Sequence, residues 1–244
     1  MFTQQANITV GRRVIVDAAR LLLILNRFAW EPTEAVRKLT IYPSHPVSRV
    51  FSPEYYLQKL DFLVRNPAYL AYELVELHRL HQDLNLVAAA DGAAIKKAVH
   101  DLMVAREPEV RTDLYRRFLR GAYEPLDRVQ AWWQARNLVF VGYERRGQIG
   151  SEARPQKHYF LSPLGEEQAH ILIDKVEHAR WYDERILLIH RFFSELSPSQ
   201  VKGLQYSHPE YRAAQYQEMI PSLPIKDITG IYEQVFGETL DIPG

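Results

Sequence analysis

Two short runs of strand-forming residues, set in a chain otherwise patterned for helix, constrain this fold most. Residues 139–143 read Val-Phe-Val-Gly-Tyr and residues 158–161 read His-Tyr-Phe-Leu. β-Branched and aromatic side chains favour a pleated backbone. The polar loop between the runs carries Gly147, Gly150 and Pro155, which is the pattern of a β-hairpin with a long tip. Little outside residues 138–162 reads as strand. The expected class is therefore mainly α, with one small hairpin.

The helical pattern is dense on both sides of that hairpin. Residues 12–30 carry apolar positions at helical spacing, and residues 21–25 (Leu-Leu-Leu-Ile-Leu) are apolar nearly all round. Such a segment is a buried helix or one covered by a partner. Ser52-Pro53-Glu54 predicts a helix start, with serine as N-cap, proline in the first position and an acid in the first turn. That helix should stop at Asn66, because Pro67 disfavours helical backbone before it. Further helices are predicted over residues 68–81, from Asp91 as a cap to about Val104, and over 107–121 with Gly121 past the end.

After the hairpin, residues 163–196 form one long amphipathic stretch. Leu172, Val176, Ala179, Tyr182, Ile186, Ile189, Phe193 and Leu196 recur at spacings of three and four, close to a heptad stripe. Ser197-Pro198 starts a shorter helix, and residues 227–236 form another. The expected organisation is an N-terminal helix and connector (1–50), a helical region leading into the hairpin (51–162), and a long helix with a C-terminal extension (163–244).

Composition narrows the function classes. The chain lacks cysteine, which excludes disulfide frameworks, zinc ribbons and thiol chemistry. Thirty basic residues balance thirty acidic ones, which counts against nonspecific coating of nucleic acid but leaves room for a local basic face. Arginine outnumbers lysine; it is the better side chain for bidentate contacts, although a GC-rich genome gives the same bias. The amino terminus lacks the pattern of a secretory signal, and the run at 21–25 is far too short to span a membrane. A cytoplasmic protein is the expectation.

The segment before the hairpin carries the informative constellation. On a helix over about 126–137, Leu126, Val129, Trp133 and Leu138 form the face to be buried. Arg128, Gln130 or Gln134, and Arg136 fall on the opposite face. Asn137 suits the left-handed conformation that ends a helix. Beyond it, residues 142–158 are net positive, through Arg145, Arg146, Arg154 and Lys157. An Arg- and Gln-bearing helix fits the DNA major groove, and a basic hairpin reaches phosphates or the adjacent minor groove.

Residues 124–172 resemble the end of a winged-helix domain of the broad PadR and MarR type of regulator. The matching residues are Asn137-Leu138-Val139, the basic loop, and Tyr159-Phe160-Leu161-Ser162-Pro163-Leu164-Gly165. The resemblance covers about a fifth of the chain, and a helical region of more than a hundred residues upstream departs from it. It implies a winged helix-turn-helix module that binds double-stranded DNA, a role in transcription regulation, and a homodimer formed through the 172–196 helix. It implies Arg128, Gln130, Gln134 and Arg136 near bases, and Arg145, Arg146, Arg154 and Lys157 on phosphates.

The same module also serves protein contacts. The alternative is a non-catalytic docking subunit of a larger bacterial DNA-repair or defence complex, with its partner at Trp132 and Trp133 or at residues 204–216. His78 and His81 near Glu76 and Asp83, and His170, Asp174 and His178 at four-residue spacing, are conceivable metal groups. Both sets read more simply as surface residues of amphipathic helices. No HExxH, phosphate-binding glycine loop, dinucleotide fingerprint or G-x-S-x-G elbow occurs. The expectation is a protein without catalytic residues, cofactor or metal.

Overall fold

The computed structural model describes residues 2–40, 44–104, 116–118, 121–123, 125–144, 155–207 and 223–242. The protein is mainly helical, with a small three-stranded antiparallel sheet and a separate two-stranded one. It divides into two units, each drawn from two separated stretches: Met1–Leu57 with Pro125–Ile186, and Gln58–Glu124 with Leu187–Gly244. Among the described residues no helix is long and apolar enough to cross a membrane.

The first unit opens with α1 (Phe2–Phe28) and the single turn α2 (Glu34–Arg37), followed by β1 (Arg49–Phe51) and the start of α3 (Glu54–Arg65). The chain returns in this unit as α6 (Asp127–Gln134), β4 (Val139–Glu144), β5 (Gln156–Leu161), α7 (Pro163–Lys175) and the first part of α8 (Glu177–Phe193). The all-apolar run of α1 is explained by its neighbours, since α1 packs on α6, α7 and β1. Leu21 to Leu25 are all buried, each contributing about 1.5–3 kcal/mol through removal from water.

The sheet runs in the order β1-β5-β4. Its register sets Val50 opposite Phe160, and Phe160 opposite Phe140. These three side chains form a buried cluster, with Val36, Leu39 and Val47 packed against it. Both outer edges are partly covered by the segment after α1: Trp30 bridges to Val50 of β1, and Thr40 to Gly142 of β4. Gly142 permits this approach, because a Cβ there would sit 2.2 Å from the Leu39 carbonyl oxygen.

The second unit holds the rest of α3, then α4 (Pro67–Leu84), a 3-10 turn at Ala88–Ala90, α5 (Gly92–Val104), the hairpin β2 (Arg116–Phe118) with β3 (Gly121–Tyr123), α9 (Pro198–Ser207) and α10 (Ile225–Phe236). Helix α4 is its centre, packing against α5, α9 and α10. Asp91 caps α5 as its position predicts, accepting the Ala94 N–H at 3.0 Å. A buried ion pair, Lys59 with Glu73, joins α3 to α4.

Several expectations are corrected. The 163–196 stretch is not one helix: Val176 is extended (φ −120°, ψ 112°) and separates α7 from α8. The stripe expected to face a second copy is largely internal, with Ala179, Ile186, Ile189, Phe193 and Leu196 all buried in the chain's own core. The helix expected over 107–121 meets a strand pair, Arg116–Phe118 with Gly121–Tyr123; its residues 107–115 lie outside the described residues. Ser52 does not cap α3, whose first turn closes on the Pro53 carbonyl; its hydroxyl accepts from Gln156 instead.

Candidate nucleic-acid interface

Helix α6 is two-faced, as its sequence requires. Leu126, Val129, Trp133 and Leu138 are buried. Trp133 is the anchor: its indole N–H donates to the Ala18 carbonyl of α1 at 3.1 Å, and its ring meets Tyr159 edge-on at 6.3 Å. A fully buried indole needs such an acceptor. Arg128, Ala131, Ala135 and Arg136 are exposed, while Trp132 and Gln134 are half-buried.

Gln130 does not share that outer face. It is buried at 8% exposure, and its side-chain amide donates to the Tyr159 hydroxyl at 3.0 Å. Its expected place near a base is therefore corrected: the amide is held inside the unit by a hydrogen bond across 29 residues of sequence. Of the two glutamines weighed for the outer face, Gln134 remains.

The end of α6 is built from local chemistry. Asn137 takes the left-handed conformation (φ 57°), and the Leu138 N–H returns to the Trp133 carbonyl at 3.0 Å, which satisfies an otherwise orphaned acceptor. The chain then enters β4. At the far end of β5, Ser162 ties this turn to α7. Its hydroxyl donates to the carbonyls of Asn137 and Leu138 at 2.6 and 3.1 Å and accepts the Gly165 N–H at 2.9 Å. A Cβ on Gly165 would lie 2.3 Å from the Leu138 carbonyl oxygen. The serine and glycine of the Leu-Ser-Pro-Leu-Gly sequence thus have one task, to lock the start of α7 against the turn after α6.

Lys157 lies on β5 and is paired within the unit. Its ammonium pairs with Glu54 at the start of α3, and the same carboxylate accepts the Tyr159 hydroxyl at 2.6 Å. Its charge is therefore answered by a carboxylate of the same unit. Arg145, Arg146 and Arg154 lie outside the described residues. Arg128 makes no hydrogen bond or ion pair among the described residues. Arg136 lies over Trp132, its guanidinium carbon 4.2 Å from the ring centroid.

Glu54 and Tyr159 are the positioning residues that sequence reasoning left out. Glu54 was legible only as a first-turn acid, and Tyr159 only as part of the strand-end motif. Burial, and secondarily the neighbouring Glu54 carboxylate, push the Tyr159 hydroxyl well above its ordinary range. It stays a neutral donor at any physiological pH.

Among the described residues no cluster of three or more histidine, aspartate or glutamate side chains is arranged to hold an ion. His78 and His81 stack on each other and turn their Nδ1 atoms to the carbonyls of Ala89 and His78. Glu76 is taken by Arg79. His170 and His178 are exposed on two different helices, separated by the break at Val176. Of the 204–216 segment, residues 208–216 lie outside the described residues.

Compared with protein-family models, curated proteins and solved structures, the chain matches none.

Proposed function

We propose that the first unit is a winged-helix module that binds double-stranded DNA, and that the protein acts in transcription regulation. The observation that carries this reading is the order of elements. A long helix, a one-turn helix, a strand and the start of a helix are followed, after the second unit's residues, by a helix and two antiparallel strands, with the first strand paired to the last. In this reading α6 is the helix that enters the major groove and β4–β5 is the wing.

Two further features support it. The outer face of α6 offers Arg128, Gln134 and Arg136, side chains suited to base edges and phosphates. The neutral charge of the whole chain is also unevenly divided: basic residues exceed acidic ones in the first unit, and acidic exceed basic in the second.

The test is a titration of a labelled duplex of mixed sequence with the full chain at low ionic strength. Saturable binding that weakens in Arg128→Ala is expected. Absence of binding by the wild-type chain overturns the reading. The internal pairing of Lys157 with Glu54 favours a second reading, in which the same face docks a protein; recovery of a stoichiometric protein partner without nucleic acid is its mark.

A further inference from the structure

We propose that Trp132 is a positioning residue that presents Arg136 to the edge of a guanine. This inference rests on the DNA-binding reading and adds to it a specific base contact and the residue that prepares it.

Arg128, Trp132 and Arg136 follow one another at four-residue spacing, so they form a single ridge along α6 and its terminal turn. Exposed Ala131 and Ala135 lie beside it, and within it Arg128 and Arg136 are exposed while Trp132 is half-buried. Within the ridge the guanidinium carbon of Arg136 sits over the Trp132 ring, 4.2 Å from its centroid. Its Nη1 is turned back to the Trp132 carbonyl oxygen at 3.4 Å. Nothing acidic among the described residues pairs with Arg136.

An arginine on an exposed turn ordinarily samples many rotamers, and ordering it on binding costs free energy. Stacking on the indole removes much of that freedom beforehand. Engagement of Nη1 leaves the opposite edge, Nε and Nη2, as two parallel N–H donors. That edge matches a planar pair of acceptors, which in a duplex is the O6 and N7 of guanine in the major groove. A phosphate also accepts two donors, but it imposes no sequence preference, so the two partners give different results.

The experiment selects bound duplexes from a random-sequence library with the full chain, then measures the enriched duplex at several salt concentrations. The wild-type chain should enrich a fixed guanine. Arg136→Lys keeps the charge and loses the fork; it should lose preference at that base pair roughly ten-fold with the salt dependence unchanged. Trp132→Leu should lose the same preference at the same position, and Trp132→Phe should retain most of it.

If Arg136→Ala weakens all duplexes equally and flattens the salt dependence by about one unit, Arg136 holds a phosphate. The inference is then overturned while the DNA reading stands. If Trp132→Leu leaves the guanine preference intact, the positioning role is overturned. If the wild-type chain retains no duplex at all, the DNA reading fails and the inference falls with it.

Discussion

Tyr159 on β5 donates its hydroxyl hydrogen to Glu54 at 2.6 Å, and this contact fixes where α3 begins relative to the sheet. Gln130 of α6 donates to the same hydroxyl, and Lys157 reaches the same carboxylate. One phenol therefore links three elements of the first unit. Tyr159→Phe removes both hydrogen bonds and leaves the buried Gln130 amide without its acceptor. A loss of about 1–3 kcal/mol is expected, read as a lower urea midpoint with unchanged slope.

The same tyrosine sets an alkaline limit. A tyrosine in the unfolded chain titrates near about 10. Burial first, and Glu54 second, hold the folded Tyr159 well above that. Tyr232, buried in the second unit and donating to Glu238, is pushed up to about 12, chiefly by burial. Since the folded values are raised, the stabilisation is fully present below the unfolded value and is lost as pH climbs through the folded values. Denaturant midpoints should hold steady toward pH about 9 and fall above about 10. In Tyr159→Phe the fall should be shallower; an equal fall would mean that Tyr159 does not contribute.

Gly165 is predicted to be intolerant of even one added carbon. The Cβ of Gly165→Ala would lie 2.3 Å from the Leu138 oxygen, and that oxygen belongs to backbone already held by Ser162. Overpacking of this kind costs typically about 1–3 kcal/mol. Thermal unfolding of Gly165→Ala should show a lowered midpoint, whereas Gly203→Ala, where an added Cβ meets nothing within 4 Å, should not.

In the second unit, Lys59 and Glu73 form a buried pair, and burial draws the Lys59 ammonium below its ordinary range, with Glu73 opposing. Breaking one side strands the other charge. Glu73→Leu is expected to cost about 3–5 kcal/mol, while the double change Lys59→Met with Glu73→Leu should recover most of that loss. Chemical denaturation of the two variants side by side is the check; equal losses would deny the coupling.

Local chemistry was the legible part of this chain. Asp91 as a cap, Asn137 in the left-handed conformation, the buried face of α6 and the two strands of the hairpin all follow from neighbours within a few residues. What escaped sequence reading depends on distant partners. Gln130 turns inward because Tyr159 is there to receive it, and Lys157 is neutralised by a carboxylate about a hundred residues earlier. β1 is only three residues long, and its strand character comes from pairing with β5. The break at Val176 is invisible in a stripe that continues on both sides of it; nothing in the side chains nearby accounts for it. Five of the eight residues of that stripe, Ala179, Ile186, Ile189, Phe193 and Leu196, are buried within the chain.

The central claim, duplex binding through α6 and the hairpin, is tested most directly by the salt dependence of affinity. Each arginine on a phosphate releases counterions, so log K falls with log salt by about one unit per contact. The wild-type chain should show a steep negative slope, and a variant with Arg145, Arg146 and Arg154 all changed to glutamine should be flatter by roughly three units. An affinity that does not change with salt, or a triple variant with the wild-type slope, would contradict the account.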